Sequence, residues 1–173
     1  MRLKLPYMGK IAGLALIQST VSALGLLLTS VIWNKWESCH SVIDGRLVMY
    51  RTGLWEKCID DHILRVSECA ALGKETAPLK SVIVLMLLAI SLQAISIIMG
   101  LIIRRYERQQ CLIIVPIIFN FAAALCGTIG LSVYAAHYDK KNCRLGASYV
   151  IGWVGMLEVY LSCFLYILVA HGK

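Results

Sequence analysis

Seven cysteines and four histidines are the side chains of this 173-residue sequence that would most readily bind a metal ion or act as nucleophiles. Cys39-His40 and Cys58 with His62 have the ligand types that Zn²⁺ prefers, but the sequence has no closely spaced set of four ligands. It also has no G-x-S-x-G, no H-E-x-x-H and no phosphate-binding loop. These patterns predict a protein with no metal site, no cofactor, no catalytic residues and no enzymatic activity.

The composition places the chain in a membrane. Hydrophobic residues make up 59% of it, whereas soluble domains average about 45–50%. A helix needs about 20 mostly apolar residues to cross the hydrocarbon core of a bilayer. Four stretches meet this requirement, at residues 8–33, 79–103, 111–136 and 146–170. We therefore expect a membrane α-helical fold with four transmembrane helices.

The net charge of +7 does not indicate nucleic-acid binding, because the basic residues do not cluster on a single face. Their distribution along the chain instead indicates how the chain is oriented in the membrane. They precede the first span, fill the short segment 104–110 and follow the last span. This distribution predicts that both termini and segment 104–110 are cytoplasmic. The loop 34–78, whose charges nearly balance, and the short loop 137–145 are then extracellular. The predicted location is the plasma membrane, with the lipid bilayer around the spans.

Each predicted span carries one amide or acid side chain near its middle: Gln18, Gln93, Asn120 and Glu158. Their similar depths predict a single buried, hydrogen-bonded layer that fixes the register of the helices. Glu158 is expected to be neutral or hydrogen-bonded there, because an ionised acid is costly in hydrocarbon. The alternative is a proton or ion relay, which intramembrane acids often mark. The interior of the spans offers no second acid and no Lys or Arg to continue such a pathway.

The loop 34–78 has the pattern of a small antiparallel sheet. Residues 47–50 favour strands, and turn signals lie on either side of them, at Asp-Gly 44–45 and Thr-Gly 52–53. Cysteines fall in both outer loops, so Cys39 could pair with Cys143; an intermolecular disulfide or a free thiol is the alternative. Cys111, at the cytoplasmic end of the third span beside three arginines, is a candidate for S-palmitoylation.

Three features carry a family resemblance. The first is a tryptophan at the end of the first span, Trp33 or Trp36. The second is a G-L-W motif, Gly53, Leu54 and Trp55, and the third is the later pair of cysteines, Cys58 and Cys69. This arrangement resembles the claudin signature, and residues 145–153 are similar to the opening of the claudin fourth helix. The spacing to Trp55 does not decide which tryptophan is the first of the signature. The resemblance covers essentially the whole chain. The claudin superfamily also contains calcium-channel gamma subunits and the epithelial and peripheral myelin membrane proteins.

The resemblance implies a left-handed bundle of four transmembrane helices with a small extracellular antiparallel β-sheet, built from the first loop and a strand of the second. It also implies a disulfide between Cys58 and Cys69, with two free thiols as the alternative. Such a bond closes a loop of about a dozen residues and would stabilise the sheet by about 3 kcal/mol. Trp55 would anchor the sheet at the membrane surface.

Claudin membership further implies cell–cell adhesion at tight junctions, where this chain would contact itself or other claudins in cis and in trans. The assembly would form a paracellular barrier or an ion pore. In claudins, charges between and just after the two cysteines would then select ions, because fixed charges in a narrow passage favour counter-ions. The candidates, each of which could equally be a solvated loop charge, are Asp60, Asp61, Arg65 and Glu68.

A second function is consistent with the same fold. An accessory subunit that modulates an ion channel or receptor would need contacts only within its own membrane. Two departures from the claudin pattern bear on this choice. Lys80 stands before the second span where claudins usually have an arginine, and only residues 171–173 follow the last span. We therefore do not expect a PDZ scaffold to bind through this tail.

Overall fold

The computed structural model describes the backbone of residues 5–43, 46–61, 66–71, 77–105, 114–138 and 143–171, and side chains within a narrower set. These residues form four helices and five strands in the chain order α1, β1 to β4, α2, α3, β5, α4. The helices are α1 Leu5–Ile32, α2 Ala77–Arg105, α3 Ile114–His137 and α4 Ala147–His171. The strands are β1 Glu37–Ile43, β2 Arg46–Thr52, β3 Glu56–Asp61, β4 Val66–Ala71 and β5 Cys143–Leu145. The predicted fold class, a four-helix membrane protein with a small antiparallel sheet, is confirmed.

The helices are long because their apolar runs are uninterrupted, and the chain's three prolines all lie where a helix tolerates them. Pro6, Pro78 and Pro116 fall in the first turns of α1, α2 and α3, where a backbone N–H has no partner inside the helix. Within the part of the chain whose side chains are described, three helical segments are long and apolar enough to cross a membrane: Ala77–Ile103, Ile114–His137 and Ala147–Ile167. The apolar part of α1 whose side chains are described, Ile17–Ile32, is shorter, but α1 itself has 28 residues.

The four helices pack as a ring in which α1 contacts α2 and α4, and α3 contacts the same two helices. Small residues bring the helices close together. A Cβ added at Gly127 would overlap the side chain of Met156, and one at Gly152 would lie 2.8 Å from Ser30 Oγ. Large apolar side chains cover most of the outside, for example Val84, Ile118 and Leu157, which are 63%, 59% and 64% exposed. Such an apolar outer surface suits the hydrocarbon core of a bilayer, which offers no hydrogen-bond partners to polar groups.

The five strands form one antiparallel sheet in the order β4-β3-β2-β1-β5. Four of them come from the loop between α1 and α2, and β5 comes from the loop between α3 and α4. The second loop therefore completes the sheet made by the first. The span limits expected from the sequence stay predictions, because helix ends do not mark the surfaces of a bilayer.

Candidate functional site: the sheet and its junction with the bundle

Two disulfides hold the sheet. Cys58 and Cys69 face each other on β3 and β4 and are joined at an S–S distance of 2.01 Å. Cys39 and Cys143 face each other on β1 and β5 and are joined at 2.03 Å. The structure thus contains the pair implied by the family resemblance. It also contains the pair that the sequence left open.

The two disulfides lie on opposite faces of the sheet. Residues directly opposite one another on paired strands share a face, and successive residues alternate between faces. Cys39 is paired with Tyr50 and Tyr50 with Ile59, so these three residues share one face. Cys58 precedes Ile59 and therefore points to the other face. The sheet is consequently cross-linked on both sides.

The carboxyl end of α1 is capped by tryptophan side chains. The last carbonyls of a helix have no partner inside it. The indole of Trp36 donates a hydrogen bond to the Ser30 carbonyl at 2.7 Å, and that of Trp55 donates to the Val31 carbonyl at 2.9 Å. Two residues of the sheet region therefore satisfy consecutive carbonyls of a membrane helix.

Trp33 and Trp36, either of which could be the first tryptophan of the signature, differ in burial. Trp36 is fully buried, and its ring lies 4.8 Å from that of Tyr134 and 6.1 Å from that of Tyr149. Trp33 is 43% exposed and has the Lys35 ammonium 5.3 Å from its ring centroid. Trp36 therefore belongs to the core, and Trp33 to the surface near the junction. Trp55 is 44% exposed, which suits an anchor at a membrane surface.

The segment between α1 and β1 is held by Gly146, which immediately precedes α4, and by the first turn of α4. The backbone N–H of Gly146 donates to the Trp36 carbonyl at 2.7 Å, and that of Ser148 donates to the Lys35 carbonyl at 3.0 Å. The Ser148 hydroxyl donates to the Trp33 carbonyl at 2.9 Å. A Cβ at Gly146 would overlap the Lys35 carbonyl, so only glycine allows this approach.

The G-L-W motif fixes the other side of the same segment. The backbone N–H of Trp36 donates to the Thr52 carbonyl at 3.0 Å. A Cβ at Gly53 would lie 2.9 Å from the Cα of Asn34 and would overlap the Asn34 side chain. Leu54 is 1% exposed and belongs to the core cluster that contains Trp36. The motif therefore seats the sheet on the bundle by close packing of a glycine, a leucine and a capping tryptophan.

The candidate ion-selecting charges are only partly described. Glu68 is exposed on β4, which is an edge strand of the described sheet. The backbones of Asp60 and Asp61 lie in β3, but their side chains fall outside the described set, as does the whole of Arg65. Cys111, the palmitoylation candidate, also lies outside the described residues. The functions assigned to these residues remain predictions.

The four polar residues of the spans do not form the single layer predicted from their depths. Gln18 is exposed on the outside of α1, whereas Gln93 and Asn120 are fully buried in the bundle. Gln93 Nε2 contacts the Thr20 carbonyl at 3.5 Å, and both side-chain polar atoms of Asn120 lack a partner among the described residues. Depth alone does not set direction, because each helical residue turns the side chain by about 100°.

Glu158 belongs instead to a polar cluster between α1 and α4. Ser22 Oγ donates to Glu158 Oε2 at 2.5 Å, and Ser19 Oγ lies 2.8 Å from Ser162 Oγ. These serines are not among the residues predicted from the sequence. Their signal was spacing, since Ser19 with Ser22 and Glu158 with Ser162 lie three and four residues apart, on one side of each helix.

Two groups among the described residues bring carboxylate and sulfur atoms within 4.8 Å of one another: Glu37 with Cys39 and Cys143, and Glu56 with Cys58 and Cys69. All four cysteines are disulfide-bonded. A metal ion binds the thiolate form of cysteine, so these groups are poor metal sites while the disulfides are intact.

Four packed helices with apolar outer surfaces, and a disulfide-linked sheet fixed to one end, define a class of multi-pass membrane protein. The family model described as PMP-22/EMP/MP20/Claudin matches residues 11–166. The chain belongs to this family, whose members are generally structural or channel-related membrane proteins rather than enzymes. No individual curated protein matches it.

Proposed function

We propose that the chain is a claudin-type adhesion protein of cell–cell junctions, with the sheet outside the cell and both termini in the cytoplasm. Its copies, alone or with other claudins, would contact one another within a membrane and across two membranes. The assembly would form a paracellular barrier or ion pore.

The observation that carries this proposal is the union of the two loops. β5 pairs with β1, and Cys39–Cys143 joins the same two strands covalently. Claudin-type adhesion between cells would use both outer loops, whereas modulation of a channel in the same membrane would not require them to be joined. A surface ordered in advance loses less conformational entropy on binding. The covalent link therefore favours the adhesive function.

The faces of the sheet offer apolar side chains for such contacts. Val42 on β1 is 66% exposed and Ile59 on β3 is 39% exposed. Val42 is three residues after Cys39 and so points to the other face from Cys39, whereas Ile59 is on the Cys39 face. Among the side chains that the structure describes, each face therefore has an exposed apolar residue, which suits a sheet that contacts copies on two sides.

The charge at the sheet edge supports a role in ion selection. Glu68 is exposed on β4, with a carboxylate that would attract cations in a narrow gap. If the assembly forms a pore, Glu68→Gln should lower the ratio of sodium to chloride permeability across an epithelial layer. Glu56→Gln is the matched control, because Glu56 accepts a hydrogen bond from Asn34 at 2.7 Å. Equal effects of the two substitutions would argue against a filter at the β4 edge.

The first experiment expresses the chain, tagged at its N-terminus, in cells without tight junctions. Enrichment where two expressing cells touch, but not against a non-expressing neighbour, is the expected result. The double variant Cys39→Ser with Cys143→Ser should reach the surface and lose much of this enrichment. An even distribution of the wild-type protein would contradict adhesion and favour an accessory subunit.

A further inference from the structure

The two disulfides of the sheet differ in exposure. Cys69 is exposed and its partner Cys58 is half-buried, whereas both cysteines of the Cys39–Cys143 pair are half-buried. Cys69 lies on β4, an outer strand of the described sheet, and Cys58 lies on the inner strand β3. A thiolate attacks a disulfide along the S–S axis, from the side opposite the leaving sulfur. A thiolate that arrives at this edge therefore meets the Cys69 sulfur and displaces Cys58.

The amide of Asn34 is placed to stabilise Cys58 as a leaving group. Its Nδ2 donates to Cys58 Sγ at 3.2 Å and to Glu56 Oε1 at 2.7 Å. An N–H donor stabilises a charged acceptor more than a neutral one, so this bond should strengthen as the sulfur becomes a thiolate. The Glu56 carboxylate, which has an oxygen within 4.8 Å of both sulfurs, opposes the effect. Its opposition is weak because Glu56 is exposed and the surrounding water and salt screen its charge.

The leaving group of the other disulfide has the opposite surroundings. Cys143 lies on the outer strand β5, so attack from that edge would displace Cys39. Glu37 Oε1 lies 3.2 Å from Cys39 Sγ, and the Tyr134 hydroxyl donates to the other carboxylate oxygen at 3.3 Å. Glu37 is half-buried, and charges interact more strongly where less water surrounds them. A thiolate formed at Cys39 would therefore be repelled by a carboxylate that is held in place.

We propose that Cys69 is a site of thiol–disulfide exchange with small thiols such as glutathione, and that Cys39–Cys143 is the resistant bond. The attacking thiolate forms a new S–S bond with Cys69, and the electron pair of the broken bond leaves with Cys58 as a thiolate bonded to Asn34. A second thiolate then attacks the small molecule's sulfur and displaces Cys69. Two small thiols are thereby oxidised to one disulfide, and the protein disulfide is reduced to two thiols.

The exchange would loosen one edge of the sheet and spare the other. Opening of Cys58–Cys69 removes the covalent link between β3 and β4, while Cys39–Cys143 still joins the two loops. The β4 edge would thus respond to the concentration of thiols around it. The reaction requires no contact between cells, so it is separable from the adhesive function.

The test exposes the full chain, purified in detergent with its free cysteines alkylated by N-ethylmaleimide, to glutathione at neutral pH. Samples are quenched with iodoacetamide at intervals, and mass spectrometry measures the state of each disulfide cysteine. Cys58–Cys69 should open at least about tenfold faster than Cys39–Cys143, since both access and the leaving group favour it. The first mixed disulfide should carry glutathione on Cys69 and the iodoacetamide label on Cys58.

The variant Asn34→Ala tests the leaving group. It should slow the opening of Cys58–Cys69 about fivefold, because the departing thiolate loses a charge-assisted hydrogen bond. The rate at Cys39–Cys143 should not change, which provides a control within the same molecule. Partial unfolding would accelerate opening, so a slower rate cannot arise from a loss of stability.

The variant Glu37→Gln tests the resistant bond. It should accelerate the opening of Cys39–Cys143 about tenfold by removing the charge beside the leaving sulfur, with no change at Cys58–Cys69. Glu68→Gln is the control of equal charge, at an exposed residue on β4, and should leave the Cys39–Cys143 rate unchanged. Equal rates for the two disulfides, glutathione first on Cys58, or an unchanged rate in Asn34→Ala would overturn the proposal. Resistance of both bonds to glutathione would overturn it as well.

Discussion

Replacing Trp36 by phenylalanine tests whether capping of α1 by the sheet region stabilises the whole molecule. The substitution removes the indole N–H that donates to the Ser30 carbonyl at 2.7 Å in a buried setting. A buried carbonyl left without a donor costs about 1–3 kcal/mol. The smaller ring also weakens the contact with Tyr134, whose centroid is 4.8 Å away, and this loss should add about 1 kcal/mol. We expect the free energy of unfolding to fall by about 2–4 kcal/mol.

The matched control is Trp33→Phe, the same chemical change three residues earlier at a side chain that is 43% exposed. Its loss should stay below about 1 kcal/mol, since only an exposed contact with Lys35 is weakened. Pulse proteolysis of the detergent-solubilised protein across a denaturant series measures both values without relying on tryptophan fluorescence. If the two variants lose equal stability, or if Trp36→Phe loses none, the capping argument is wrong.

Three further predictions follow from the site. Replacing both Cys58 and Cys69 by serine opens a loop with a sequence separation of 11 and should lower the free energy of unfolding by about 3 kcal/mol. The same proteolysis measures this value. An unchanged free energy of unfolding would mean that the disulfide does not stabilise the pairing of β3 and β4. Gly146→Ala should sharply reduce the amount of folded protein because its Cβ would overlap the Lys35 carbonyl, whereas Gly25→Ala should not. The height of the monodisperse peak in size-exclusion chromatography compares the two variants. Equal peaks would contradict the clash at Gly146. Asn120→Leu should raise the free energy of unfolding by about 1–3 kcal/mol, because a buried amide without partners is replaced by an apolar side chain; a loss of stability would show that the amide is hydrogen-bonded in the membrane.

The fold could be predicted from the sequence because its determinants are local. Apolar runs of more than 20 residues indicate membrane helices whatever they pack against. The turn signals at 44–45 and 52–53 lie next to β-favouring residues, and the structure has strand β2 at Arg46–Thr52. The motif that contains Gly53 indicated the family, which the match over residues 11–166 confirms.

The parts of the site that could not be predicted depend on partners distant in sequence. Trp36 is buried because Tyr134 and Tyr149 meet it from α3 and α4, and neither contact can be read from the spacing to Trp55. The direction of each polar side chain in the bundle depends on the rotation of its helix. Similar depth therefore predicted a single layer, whereas in the structure Gln18 is exposed and Asn120 is buried.

The disulfide between the two loops imposes an order on biogenesis. The ribosome makes Cys39, Cys58 and Cys69 long before Cys143, which lies 104 residues after its partner Cys39. Three early cysteines allow three pairs, and only one of these, Cys58–Cys69, is native. If that pair forms early, Cys39 remains a free thiol until Cys143 is available. Either of the other pairs would have to be reopened by thiol–disulfide exchange. The final covalent bond of the sheet can form only after α3 has been synthesised, so its presence marks a chain whose topology is nearly complete.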